Sequence, residues 1–328
     1  MFATSFTIDM GPAPTWLTFG VIGGFAVGCT YNSAIPCIQK WFPDKINVCS
    51  GIIVCCFGLA TVVFTPVAQM LIDAYGIRDT FRILGVVFAV VCLVASIFVK
   101  NPDAGWLPEG YVPATSKSNI AQVQVPFSKA IKTRQLWIIM LTLWFITAGY
   151  FCINPILRQL GMARGLEADL ANGIVMACGL GLAVGRFAVP FFVNMLRGRR
   201  NTALTLAILV CVVSVALIFA QGIAFMVLVF LLAAFAGAPG ATYSPWTAEN
   251  FGLENQGANY GFVMIGTGLS SLISFRLCNQ IIAPMFGGLD ATGVAVNTAL
   301  YFVVSLVFAV VSVLLLLAFK TYKENKAE

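Results

Sequence analysis

Arg186 lies inside an apolar stretch, LANGIVMACGLGLAVGRFAVPFFV, at residues 170–193. At a rise of about 1.5 Å per residue, its guanidinium sits roughly 16 Å from the basic cluster of Arg197, Arg199 and Arg200, about half of a ~30 Å hydrocarbon core. A cation at that depth is costly unless it faces water or an anion, and arginine cannot shed its charge. The position therefore predicts a polar recess whose natural guest is an anion. The alternative is a structural arginine held by a backbone carbonyl or a buried acid. Acids in the apolar stretches are few and stand near their ends, which favours the anion.

A second set of polar groups has helical spacing. Thr267, Ser270, Ser271 and Ser274 fall at i, i+3, i+4 and i+7 and share a face, which Tyr260 extends two turns earlier. Such a stripe lines a cavity, or it bonds back to its own helix or to a neighbour, and both readings stay open. Arg276 is about half a turn around that helix from Thr267 and is predicted to snorkel towards an interface. Trp144, Thr147, Phe151 and Asn154 form an aromatic and polar stripe, a pattern that serves packing more often than binding. Gly58, Thr61, Thr65 and Gln69 make a small polar face near Phe57. Gly20, Gly24 and Gly28 repeat every four residues, as close-packed helices require. Pro239 and Pro245, around Tyr243 and Trp246, predict a broken or kinked helix.

The elements that carry these residues are set by composition. Of the 328 residues 59% are hydrophobic and 10% charged, with a mean hydropathy of +0.92; a soluble domain is about a quarter charged. Nine apolar stretches are long enough to span a bilayer, near Pro14–Ile35, Ile46–Leu71, Ile83–Val99, Gln135–Ile156, Leu170–Val193, Thr202–Ala220, Ile223–Thr247, Asn259–Ala283 and Val294–Phe319. Runs of about twenty residues favour helices over barrel strands of about ten. The expectation is an all-α polytopic membrane protein, with the lipid bilayer as its main surroundings.

Charge orients the spans. With the C-terminus inside, thirteen of the nineteen Lys and Arg, among them Lys100, Lys117, Lys129, Lys132 and Lys326, fall on inside segments. Arg78, Arg82, Arg158 and Arg164 fall outside, and Arg186 and Arg276 in the membrane. The net charge of +6 follows from this bias and gives no support to nucleic-acid binding. Met1 is then outside, on a start free of basic residues, so the chain reads as the back part of something longer. Ten cysteines without a C-x-x-C, and no histidine, point to neither a disulfide framework nor a metal site, and no cofactor motif appears. No acid pair or nucleophile–base pair is evident, so an enzyme is disfavoured.

Residues 100–134 are the one long polar connection, with three spans before and six after it. The predicted organisation is a partial helical bundle at 1–99, an inside (cytoplasmic) loop at 100–134, a six-helix bundle at 135–321 and a cytoplasmic tail at 322–328. Within this frame Tyr31-Asn32, Trp41-Phe42-Pro43-Asp44-Lys45 and Ser50-Gly51 resemble the stretch at the fourth and fifth helices of the oxalate/formate antiporters of the major facilitator superfamily. Ser128 to Trp137 is similar to their entry into the seventh helix. Gly185-Arg186 with Asn194 and Gly198-Arg199-Arg200 resembles their eighth-helix stretch, and Asn259-Tyr260-Gly261-Phe262 the start of their eleventh. The resemblance implies a major facilitator-type fold of two bundles, here without about the first three helices, in the plasma membrane. It implies a gating motif at Asp44, Lys45, Asn194, Arg199 and Arg200. It also implies a substrate site at Arg186, Thr267 and Phe57, to which the hydroxyl stripe adds Ser270 and Ser271 and the aromatic stripe Trp144.

The departures sharpen that expectation. Asn194 stands where the family has an acid, with one residue inserted before Arg199. Thr267 stands at the position of an eleventh-helix lysine of the oxalate carriers. Phe57 matches a cavity tyrosine but lacks its hydroxyl, and aromatic positions of the tenth helix fall on or next to Gly237 and Ala241. One substrate cation is then absent, so a secondary transporter of monocarboxylates rather than oxalate is expected, working by alternating access. The alternative is a transport-incompetent fragment, or a half-transporter that needs a separate N-terminal part.

Overall fold

The computed structural model describes residues 1–43, 45–103, 124–193 and 195–319. Eight helices among them are long and apolar enough to cross a membrane. Nine spans were expected, and the difference lies in one element. Ile46–Phe98 is a 53-residue helical run made of two helices that meet at a kink. It is broken at Gly76, whose φ of 74° and ψ of 168° suit only glycine. The two expected stretches, Ile46–Leu71 and Ile83–Val99, lie on either side of that break.

The elements used below are α1 (Gly23–Trp41), α2 (Ile46–Phe98), α3 (Arg134–Ile153), α4 (Ala168–Phe192), α5 (Arg199–Phe219), α6 (Gly222–Gly237), α7 (Pro239–Phe251), α8 (Gln256–Arg276) and α9 (Ala299–Leu317). Pro239 brings no amide to the helix, so α6 ends at Gly237 and α7 starts anew, as the proline spacing predicts. Thr133 caps α3, its hydroxyl accepting from the Leu136 amide at 3.5 Å. A π-helical turn, Leu277–Ile282, continues α8.

The described residues group into two compact units. One comprises those of Met1–Asp44 and Ala60–Val112. Trp41 ties α1 to the chain after α2, its indole N–H donating to the Lys100 carbonyl at 2.7 Å. Most of this unit's apolar side chains are exposed, Phe25 and Phe98 at 74% and 79% among them. A Cβ placed on Gly20, Gly24 or Gly28 meets nothing within 4 Å. The glycine repeat that predicted close packing therefore has no helix against it among the described residues.

The other unit comprises Lys45–Leu59 and the described part of Pro113–Glu328. Here α3 packs on α8 and α9, α4 on α6, and α5 on α6 and α9. Glycine sets the tightest seam: a Cβ on Gly181 would overlap the Phe230 carbonyl oxygen, and one on Gly185 that of Ala234. Helices that lack a hydrophobic drive between them gain contact by such backbone approach. Arg164, expected in an outside loop, is 7% exposed. Its Nη1 donates to the carbonyls of Ile218 and Ala220 at 3.1 and 3.0 Å, and its guanidinium lies over Phe225 and Phe302. The carbonyls at the end of α5 carry partial negative charge, so the helix terminus stands in for an acid.

Candidate functional site

α4 is a 25-residue helix from Ala168 to Phe192, and Arg186 lies near its C-terminal third. Glycines on α4 and on the elements beside it bring two neighbours against it. On one side are α6 and the break before α7; a Cβ on Gly240 would stand 3.5 Å from Arg186 Nε and 4.0 Å from Nη2. On the other are the first turns of α2. A Cβ on Gly51 would lie 3.0 Å from the Arg186 carbonyl oxygen, and one on Gly58 would lie 2.5 Å from the Ala183 amide nitrogen. The guanidinium is half-buried where these seams meet.

Its partners are backbone groups. Nε donates to the Gly237 carbonyl and Nη1 to the Val54 carbonyl, each at 3.4 Å. Both contacts are long for an N–H···O bond, which peaks near 2.9–3.0 Å. The ion pairs among the described residues, Arg78–Asp9, Arg82–Asp79 and Arg199–Glu249, do not include Arg186. Tyr150 of α3 and Cys55 of α2 lie within electrostatic range of it. Tyr260 is fully buried and donates its hydroxyl to the Gly240 carbonyl at 3.3 Å, so the wall beside the guanidinium is held from α8.

The stripe residues separate. Ser270 and Ser274 are fully buried in the α8 surface that meets α3, and neither hydroxyl oxygen has a hydrogen-bond partner among the described residues. The indole nitrogen of Trp144 on α3 is likewise buried without a partner. Thr267 is half-buried, and Ser271 and Phe57 are exposed. Arg186 makes no hydrogen bond to Thr267, Ser270, Ser271 or Trp144. Arg276 is exposed at the end of α8. Thr147 bonds back to the Leu143 carbonyl at 2.8 Å within α3.

A second polar cluster stands at the end of the unit where α5 begins. Arg199 Nη1 donates to Glu249 Oε2 at 2.6 Å, and its Nη2 and Nε reach Asn47 Oδ1 at 3.1 and 3.3 Å. One guanidinium thus joins the starts of α2 and α5 to the end of α7. Arg200 donates to the carbonyls of Leu316 and Leu317 at 3.1 Å each, closing the end of α9. Lys45 begins this segment; Asp44 and Asn194, the other members expected in the motif, lie outside the described residues, as do Lys117, Lys326 and the 322–328 tail. Glu249 and Asn47 were not anticipated. A lone acid at the end of an otherwise apolar stretch was the available signal for Glu249. Asn47 carries none, because its role depends on where α2 meets α5.

A half-buried cation within a polytopic helical unit, beside glycine-lined helices and a broken helix, is an arrangement that secondary transporters build. The chain matches the Major Facilitator Superfamily model over residues 1–275 and belongs to that superfamily. It is 24% identical over 267 residues to "Uncharacterized MFS-type transporter YhjX" of Escherichia coli K12, covering 78% of this chain and 63% of that protein. It is 21% identical over 157 residues to the "Oxalate:formate antiporter" of Oxalobacter formigenes, 47% of this chain and 36% of that one. It is 28% identical over 120 residues to human "Monocarboxylate transporter 12", 36% of this chain and 23% of that one. The chain therefore spans less than two thirds of the length of these curated relatives. Its fold is similar to that of the transporter FucP in the outward conformation, with a TM-score of 0.62 and 15% identity over 95% of this chain and 79% of that one.

Proposed function

We propose that this chain carries out secondary active transport of small organic anions, with a monocarboxylate favoured over oxalate. The observation that carries this reading is Arg186, a permanent cation in a membrane-spanning helix whose protein partners are two distant carbonyls rather than a carboxylate. Its charge is left for a ligand to neutralise. The relatives support the substrate class: alongside the antiporter and the monocarboxylate transporter, the chain is 29% identical over 82 residues to "Apicoplast pyruvate carrier 1" of Toxoplasma gondii. Arg186 supplies the charge, hydroxyls of Thr267, Ser270 and Ser271 and the indole of Trp144 supply neutral donors, and Phe57 bounds the site. Binding biases an alternating-access equilibrium, and Arg199 and Arg200 with Asp44, Lys45 and Asn194 form the gate. The resident membrane is the plasma membrane, with the 100–134 loop and the C-terminus on the cytoplasmic side.

Uptake of radiolabelled lactate and formate into proteoliposomes tests the proposal. Saturable uptake that disappears in Arg186→Gln, in protein that remains folded and inserted, is the expected result. Uptake undiminished in Arg186→Gln removes the anion site.

A further inference from the structure

The donors of Arg186 are not equivalent. Nε and Nη1 hold carbonyls at 3.4 Å, while Nη2 has no hydrogen-bond acceptor among the described residues. The two carbonyls differ as well. Gly237 sits at the break between α6 and α7, where the Ala241 amide that would regularly serve it turns to the Ala238 carbonyl at 3.0 Å instead. Val54 lies inside α2, where the amide four residues on, that of Gly58, is the regular partner of its carbonyl. Losing the contact to Arg186 therefore leaves the Val54 carbonyl paired, whereas losing it at Gly237 removes a partner at a break in the helix.

On the reading that Arg186 receives a carboxylate, we propose that its guanidinium is a tether that the substrate unfastens. A monocarboxylate takes the Nη1–Nη2 edge in a two-donor grip and displaces the Val54 carbonyl, while Nε stays on Gly237. Charge-assisted N–H···O⁻ bonds form at about 2.7–2.9 Å and are roughly twice as strong as those to neutral acceptors, so the exchange runs towards the carboxylate. The planar fork of arginine matches both carboxylate oxygens, which an ammonium does not.

What the exchange releases is the first turns of α2. They lie on α4 with backbone nearly against backbone at Gly51 and Gly58. Arg186 at Val54 and, about two turns away, Arg199 at Asn47 are among the polar contacts that fasten this stretch. Because the ligand binds only the arrangement in which Val54 is free, it shifts the population towards loosening of residues 46–59 on α4.

Hydrogen–deuterium exchange of the purified protein in nanodiscs, with and without saturating lactate, tests the tether. Lactate binding is measured on the same sample by equilibrium dialysis. Peptides covering 46–59 are expected to exchange several-fold faster with lactate, while those covering 199–219 are unchanged. In Arg186→Gln the 46–59 peptides exchange fast from the start and ignore lactate. If lactate binds the wild-type protein, is lost in Arg186→Gln, and yet leaves exchange in 46–59 unchanged or slower, the tether is wrong and the anion site stands. If lactate, formate and oxalate all fail to bind, the anion site falls and the tether with it.

Discussion

Arg199 donates to a carboxylate oxygen of Glu249 at 2.6 Å, and the rest of the same guanidinium grips the side-chain oxygen of Asn47. The two charged side chains are 11% and 22% exposed, between the regime in which ion pairs contribute little and that in which losing one partner is severe. Glu249→Gln is expected to lower stability by about 1–3 kcal/mol. Arg200→Gln, which forfeits two bonds to neutral carbonyls, should cost about 1–2 kcal/mol. Thermal unfolding in nanodiscs followed by intrinsic fluorescence measures both. An unshifted transition in Glu249→Gln would show that the pair does not hold α7 to α5.

The two arginines within membrane-spanning helices should respond differently. Arg186→Lys is expected to lose most of its uptake, because an ammonium cannot reproduce the two-donor edge. Arg276 is exposed and outside the ion pairs of the described residues, so Arg276→Gln should keep most of its uptake. Uptake normalised to folded protein decides; equal losses at both positions would favour a structural role for Arg186.

The proposed single-cation site, with Thr267 where the resemblance to the oxalate carriers puts a lysine, makes a prediction about specificity. Competition of formate, lactate and oxalate against a labelled monocarboxylate should rank oxalate last. Oxalate winning tenfold, a difference of about 1.4 kcal/mol, would overturn the single-cation site.

The glycines separate into those with a helix against them and those without. Gly185→Ala puts a methyl into the Ala234 carbonyl and should destabilise by about 1–3 kcal/mol or more, seen as lost folded protein in size-exclusion chromatography. Gly24→Ala meets nothing and should leave stability level or raised by roughly 0.5–1 kcal/mol through helix propensity. Equal yields of the two variants would contradict the packing of α4 on α6.

The helices, their approximate ends and the break at Pro239 were legible in the chain because apolar run length and proline act locally. Arg186 was legible for a related reason, since a fixed charge in an apolar stretch is conspicuous in one dimension. Helical spacing also grouped Thr267, Ser270, Ser271 and Ser274, but spacing says only that they share a face. Which of them meets a neighbour depends on where α3 lies, and that leaves Ser270 and Ser274 buried and Ser271 exposed. The same holds for the glycine repeats: Gly20, Gly24 and Gly28 look as suited to close packing as Gly181 and Gly185, yet only the latter have a helix against them among the described residues.

Sequence by itself determined that this is a polytopic helical protein with a cation in its membrane-spanning part, because hydrophobicity and charge belong to residue types. Tertiary structure decided what that cation touches. The Val54 and Gly237 carbonyls are 132 and 51 residues from Arg186 along the chain, and as backbone atoms they leave no mark in the choice of side chain. Glu249 and Asn47 likewise become partners of Arg199 only when α2, α5 and α7 converge. Such contacts follow from the path of the backbone, which packing sets and residue type alone does not.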